Sequence, residues 1–225
     1  MAAEKKTSPN VESRLRHNIL KMPQEVYAAS GIVINGRRLK SFVFTTDLAI
    51  IRNCDADAVF AVYPFTPQQA ISDAIIKASY IPVFCGVGGG LTNGVRSASM
   101  AAYVEHQGAY GVVCNSKIGV ETIHAIKDAV EIPVVYTVIS EKTDIQLYLT
   151  AGVDIINVSG AARTPEIVGT LRQRYPELPI IATGGPTEES ILATIRAGAN
   201  AITYTPPSSA SLFAKTMADN RSELE

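Results

Sequence analysis

The chain has 225 residues, of which 47% are hydrophobic and only 18% charged, and its formal net charge is −1. Such a chain can bury one large core as a single domain, and the near-neutral balance leaves no electrostatic footprint for nucleic acid or an anionic membrane. No apolar run is long enough to span a bilayer, no signal-peptide pattern opens the sequence, and Cys54, Cys85 and Cys114 share no metal-site spacing, so the expected location is a reduced cytoplasm.

Met1 to Asn10 is polar and reads as disordered, and Val11 to Lys21 reads as a short amphipathic helix that packs Leu15 and Ile19 before Pro23 stops it. Gly31-Ile32-Val33-Ile34 and Arg37-Arg38-Leu39-Lys40 then flank Asn35-Gly36, the strongest short-range hairpin signal. Residues 1–40 therefore form an N-terminal extension of helix and hairpin. It is expected to plug the bottom of the unit that follows, and a subunit contact, with a homo-oligomer as its result, is the alternative.

Over residues 41–225 the chain repeats one unit four times. A strand and a helix are followed by a second strand announced by Gly-Ala or an acidic residue, and then by another helix. Lys40 to Phe44 pairs in this way with Asp57 to Phe60, Ile81 to Phe84 with Gly108 to Val112, Ile132 to Val135 with Gly152 to Ile156, and Leu178 to Ile181 with Gly198 to Ile202. Asp57, Tyr110, Asp154 and Asn200 mark equivalent points and recur every 44–53 residues, long enough for two β-α units per copy. Nearly continuous apolar runs such as Val134-Val135-Tyr136 and Ile155-Ile156-Asn157-Val158 suit parallel strands buried on both faces. Ile71, Ile75 and Ala78, or Ile123, Ile126 and Val130, keep helical spacing. Eight strands alternating with eight helices close into an α/β fold, a (β/α)8 TIM barrel.

Such a barrel carries its chemistry on the loops at the C-terminal strand ends. Asp47 follows the first strand, Asn115-Ser116-Lys117 the fourth, Glu141 the fifth, and Asn157, Ser159 and Arg163 the sixth. His17, His106 and His124 fall away from that rim, which leaves Lys117, Glu141 and Asp47 as the leading groups for proton transfer or charge stabilisation. Lys142, Asp144, Tyr63, Cys85 and Cys114 are further candidates. Lys117 can pair with a substrate anion or, desolvated, act as an amine nucleophile; a solvated surface lysine is the plain alternative. Asp47 suits a helix N-cap equally well. Arg163 can clamp a carboxylate or phosphate through its fork, or only meet a neighbouring helix, and Asn115, Asn157 and Ser159 complete the substrate-binding set.

The last two loops form the sharpest local signal. Thr183, Gly184 and Gly185 close the seventh strand, and Thr205, Ser208 and Ser209 close the eighth and open the final helix. Glycine amides and a helix N-terminus together suit a phosphate, although Thr187 with Glu188-Glu189, and Ser208 or Ser209, also read as ordinary helix caps. Gly86-Val87-Gly88-Gly89-Gly90 lacks dinucleotide and P-loop spacing, so it is either a loop that closes over substrate or one that needs positive φ at several residues. No metal and no cofactor is expected.

Ile180 to Ala210, with its Ala-Thr-Gly-Gly turn, Arg196-Ala197-Gly198-Ala199 and the serines after the eighth strand, resembles the ribulose-phosphate-binding class of barrels. Within it, Gly111 to Lys117 and Pro179 to Ser209 look like the glycerol-uptake operon antiterminator family, which implies a sensor of a glycerol-phosphate-type ligand. Gly108 to Val135 looks like N-acetylmannosamine-6-phosphate epimerases. The lysine that this second likeness implies would fall near Ile139, with Lys142 beyond it, so epimerase catalysis does not carry over. The leading expectation is an enzyme that holds a small phosphorylated, sugar-like metabolite and performs isomerase, lyase or hydrolase chemistry. A non-catalytic sensor of the same ligand class and a barrel for a neutral ligand are the alternatives.

Overall fold

The computed structural model describes residues 9, 11 and 19–222. The expected helix over 11–21 lies largely outside them, and at its end Leu20 is extended, with its amide donating to the Asn53 carbonyl at 2.8 Å and its carbonyl accepting from the Asp55 amide at 3.2 Å. After Pro23 a short 3-10 helix, Gln24–Ala28, packs on helix α7 (Glu188–Arg196) and buries Val26, while Met22 is buried just ahead of it.

Strands β1 (Ile32–Ile34) and β2 (Arg37–Leu39) form the expected antiparallel hairpin. Asn35 and Gly36 sit at φ 48° and 78°, the pair of positive values that a two-residue turn needs for its twist to match the strands. Alternation buries Ile32, Ile34 and Leu39 and leaves Val33 exposed. The three buried residues join one apolar cluster with Phe42, Ala58, Phe60, Phe84, Val113, Val135, Ile155, Ile181 and Ala201, the lower inward positions of the barrel. The hairpin thus closes the barrel from below.

Strands β3 (Ser41–Phe44), β4 (Ala58–Ala61), β5 (Val83–Gly88), β6 (Gly111–Cys114), β7 (Val134–Val138), β8 (Ile155–Val158), β9 (Ile180–Thr183) and β10 (Ala201–Tyr204) are all parallel, and β10 pairs back onto β3 to close the ring. Helices α1 (Leu48–Arg52), α2 (Gln69–Ala78), α3 (Val95–His106), α4 (Val120–Lys127), α5 (Ile145–Thr150), α6 (Thr164–Arg174), α7 and α8 (Ser209–Ser222) follow the barrel strands in turn. No helix among the described residues is long and apolar enough to cross a membrane.

The residues that mark the repeat have a structural task. Asp57 accepts from the amides of Lys40 and Ser41 at 2.8 and 3.0 Å, Asp154 from the amide of Val134 at 2.8 Å, and Asn200 from the amide of Ile180 at 2.9 Å. Each of these side chains pins the start of the preceding strand at the bottom of the barrel. Tyr110 makes the equivalent link through its backbone, donating to the Val83 carbonyl at 2.8 Å.

Three phenylalanines fill the centre. The rings of Phe42, Phe60 and Phe84 lie 5.1, 5.2 and 5.8 Å apart by centroid, tilted or edge-to-face, the geometry that aromatic quadrupoles favour. Gly111, the register partner of Phe84 on β6, leaves room for that ring; a Cβ there would come within 2.5 Å of it and 3.1 Å of the Pro133 carbonyl. Gly111→Ala is therefore expected to destabilise by about 1–3 kcal/mol, lowering Tm by roughly 2–12 °C. A double variant that also carries Phe84→Leu should recover part of that loss in thermal melts, and strictly additive losses would show that the ring is not the obstacle.

Candidate functional site

Two residues above the phenylalanine floor the inward positions change character. On β3 and β4 they remain apolar, as Phe44 and Val62, and on β5 Gly86 supplies no side chain. On the other side of the ring they become Asn115, Thr137, Asn157, Thr183 and Thr203. With the loops above, these positions enclose a cavity of about 670 Å³ at the C-terminal mouth. One half of its wall is apolar and aromatic, built from Phe44, Phe60, Val62, Tyr63 and Phe65. The other half carries amides and hydroxyls from Asn157, Ser159, Thr183, Thr203 and Thr205.

Two atoms of the polar half have no hydrogen-bond partner. Asn157 and Thr203 are 8% and 5% exposed, and the Asn157 Oδ1 and Thr203 Oγ1 are unsatisfied, although the Asn157 amide nitrogen donates to Thr137 Oγ1 at 3.3 Å. Buried polar atoms are seldom left so, because the lost hydration has no replacement.

Lys117 lines the same cavity, and its ammonium forms no ion pair among the described residues. Its loop is held firmly. The Asn115 Oδ1 accepts from the Lys117 amide at 3.3 Å and the Ser116 hydroxyl at 3.1 Å. From the outer side of the barrel, Tyr136 and Tyr148 stack with centroids 3.9 Å apart, and their hydroxyls donate to the carbonyls of Ser116 and Ile118 at 3.2 and 3.1 Å. The neighbouring glycine loop is tied as well: the Gly89 amide donates to the Thr92 carbonyl, and the Asn115 amide to the Gly88 carbonyl. Gly89, Gly90 and Gly94 sit at φ 117°, 70° and 60°, which accounts for the glycines by backbone geometry.

The two carboxylates expected at the rim are engaged elsewhere. Asp47 caps α1, accepting from the amides of Ala49 and Ile50 at 2.9 and 3.3 Å, and it also accepts from the hydroxyl and amide of Ser209 at the start of α8. The Ser209 hydroxyl bond, helped by these amides, holds the Asp47 carboxyl below the usual range. Glu141 pairs with Arg163 at 2.7 Å, which lowers the Glu141 carboxyl, and Arg163 also meets Glu166 at 3.2 Å. Neither Asp47, Glu141 nor Arg163 lines the cavity.

Of the expected phosphate-binding residues, Thr183 and Thr205 face the cavity. The Gly184 amide donates to the Thr203 carbonyl at 3.3 Å, the Ser208 hydroxyl accepts from the Ser211 amide at 3.1 Å, and Ser209 serves Asp47. Gly185 stands at φ 80° beside the capping box of Thr187 and Ser190 that opens α7, and Glu188 and Glu189 are exposed. Cys85 and Cys114 face the helices, not the mouth, and burial pushes both thiols up to about 12. Thr137, Thr203 and the wall residues Phe44, Phe60 and Val62 are not among the candidates that the loops offer, although Tyr63 of the same wall is. Their signal was strand parity: Thr203 and Thr137 share the inward side with Thr205 and Ile139.

No family model and no curated protein matches the chain. Solved structures do. The phosphoenolpyruvate phosphomutase from Streptomyces platensis subsp. rosaceus is 17% identical, with 87% of this chain and 83% of that one covered at a TM-score of 0.61. A 2,3-dimethylmalate lyase described as a PEP mutase/isocitrate lyase superfamily member is 14% identical, with 89% and 82% covered at 0.64. A phosphonopyruvate hydrolase in complex with oxalate and Mg++ is 15% identical, with 82% and 80% covered at 0.61. At these identities the likeness is one of fold. The magnesium named for the hydrolase meets no carboxylate among the described residues that line the cavity, and Mg²⁺ is held through carboxylates. No carboxylate lines the cavity, and no group of three His, Cys, Asp or Glu converges among the described residues.

The Asp47 contacts predict a pH dependence. A carboxyl lowered in the fold contributes stability above its unfolded value of about 3.9, and that contribution is lost as pH falls through the lower folded value. Asp47→Ala should cost about 0.5–2 kcal/mol at pH 7. In melts taken at successively lower pH the gap to the parent protein should close below pH of about 4; a gap that stays constant would show that the charge is not what joins α1 to α8.

Proposed function

We propose that the chain is a barrel enzyme that binds a small anionic metabolite, a phosphorylated compound or a carboxylic acid, at the C-terminal mouth. The observation that carries this reading is the lining of the cavity, which brings one ammonium, amides and hydroxyls together and contains no carboxylate. Lys117 supplies the charge. Asn115, Asn157, Ser159, Thr183 and Thr205 supply hydrogen bonds, while Gly184, Gly185, Ser208 and Ser209 shape the loops around them. The names of the similar structures speak for the same chemistry, since phosphoenolpyruvate, phosphonopyruvate and dimethylmalate are small acids.

A fixed cation beside a bound acid stabilises negative charge as it develops on the substrate, which is what isomerisation and carbon-carbon cleavage require. Isomerisation, carbon-carbon cleavage and hydrolysis each also need a group that moves a proton, and among the described lining residues Lys117 and Tyr63 are the candidates for it. In this reading Glu141 and Arg163 act as an exchangeable pair at the rim, and Asp47 acts from behind the loops. The resemblance of residues 180–210 to ribulose-phosphate-binding barrels agrees with a phosphorylated ligand. The second reading is a sensor without catalysis, akin to the antiterminator resemblance, and the engagement of both Asp47 and Glu141 in contacts within the fold favours it.

Inorganic phosphate or oxalate at about ten times its dissociation constant should raise Tm by roughly 3–6 °C, and Lys117→Ala should remove most of that shift while melting like the parent protein without ligand. An unchanged shift in the variant would take Lys117 out of the site. Turnover of any member of a panel of phosphorylated and carboxylic acids, lost in Lys117→Ala, would decide for the enzyme; binding without turnover across the panel would decide for the sensor.

A further inference from the structure

An anion alone accounts for only half of the cavity. About 670 Å³ is room for roughly twenty waters at about 30 Å³ each, far more than a phosphate or a three-carbon acid occupies. The two orphaned atoms, Asn157 Oδ1 and Thr203 Oγ1, and the ammonium of Lys117 belong to the polar side. Opposite them, Phe60 and Val62 rise from β4, Phe44 from β3, and Tyr63 and Phe65 continue the wall upward; Gly86 beside Val62 leaves space where a side chain would otherwise intrude.

The rim repeats the theme. Phe44, Phe65, Leu91 and Ile139 all line the opening and are 37%, 74%, 98% and 56% exposed. Large apolar side chains gathered around one opening and left wet gain when a ligand covers them. A single polar acid would instead desolvate against the aromatic wall without compensation.

Resting on the anion reading above, we infer that the ligand is a small acid or phosphate ester bearing a flat apolar substituent, an aryl group. Its anionic end faces Lys117, Asn157 and Thr203, and its apolar end lies against Phe44, Phe60, Val62 and Phe65. The aromatic wall then sets specificity, and Lys117 sets the charge requirement.

Calorimetric titration tests this with matched probes: inorganic phosphate against phenyl phosphate, pyruvate against phenylpyruvate, and benzyl alcohol as the apolar group without charge. One aryl anion should bind the parent protein at least tenfold tighter than its bare counterpart, and which pair shows the effect separates phosphate from carboxylate. The exposed-wall variants Phe44→Ala and Phe65→Ala should together cut that preference below threefold, whereas Lys117→Ala should weaken both members of a pair by the same factor. Bare anions that bind as tightly as aryl ones, or a preference that survives in the wall variants, would overturn the aryl inference and leave the anion reading standing. Binding of benzyl alcohol alone, or of none of the probes, would overturn both.

Discussion

Closing eight parallel strands into a ring gives every strand one side that must fill the interior, and that demand organises the rest of the molecule. Below, Ile32, Ile34 and Leu39 of the hairpin meet the lower inward residues. In the middle, Phe42, Phe60 and Phe84 pack tilted or edge-to-face, and Gly111 yields the space that Phe84 takes. Above the phenylalanines the interior stops being filled. The floor they form sets the depth of the cavity, and the same alternation that makes a core at one level presents threonine and asparagine to the cavity two residues higher.

Ionised side chains divide by level. At the bottom Asp57 and Asp154 pin strand starts, and Glu105 accepts from the amides of Glu131 and Ile132 at 2.7 and 2.9 Å. At the top Asp47 joins two helix starts and Glu141 answers Arg163. These five acids thus hold the architecture, and the mouth retains a cation.

The architecture was readable because its causes are local. Asn35-Gly36 demands its turn, apolar runs demand burial, and the acidic marks recur because each serves the strand just before it. The repeat of Asp57, Asp154 and Asn200 is a structural signature of strand ends, and it carries no information on chemistry. The site was legible only as a set of loops. Asp47 and Ser209 stand 162 residues apart, and Glu141 finds Arg163 across two strand ends, so which carboxylate remains available to a ligand depends on ring closure and not on any window of sequence. Asn115, Asn157, Ser159 and Lys117 were singled out and do reach the cavity, whereas Thr137 and Thr203 were hidden inside strands that read simply as apolar.

The stacked tyrosines behind the Lys117 loop have a wider consequence. Tyr148 belongs to a helix on the outer shell, yet its hydroxyl and that of Tyr136 hold the two carbonyls on either side of Lys117. The position of that charge is thereby adjustable from the far side of the wall. A substitution at Tyr148 in α5 would therefore alter the support of the Lys117 loop while leaving every cavity-facing residue intact.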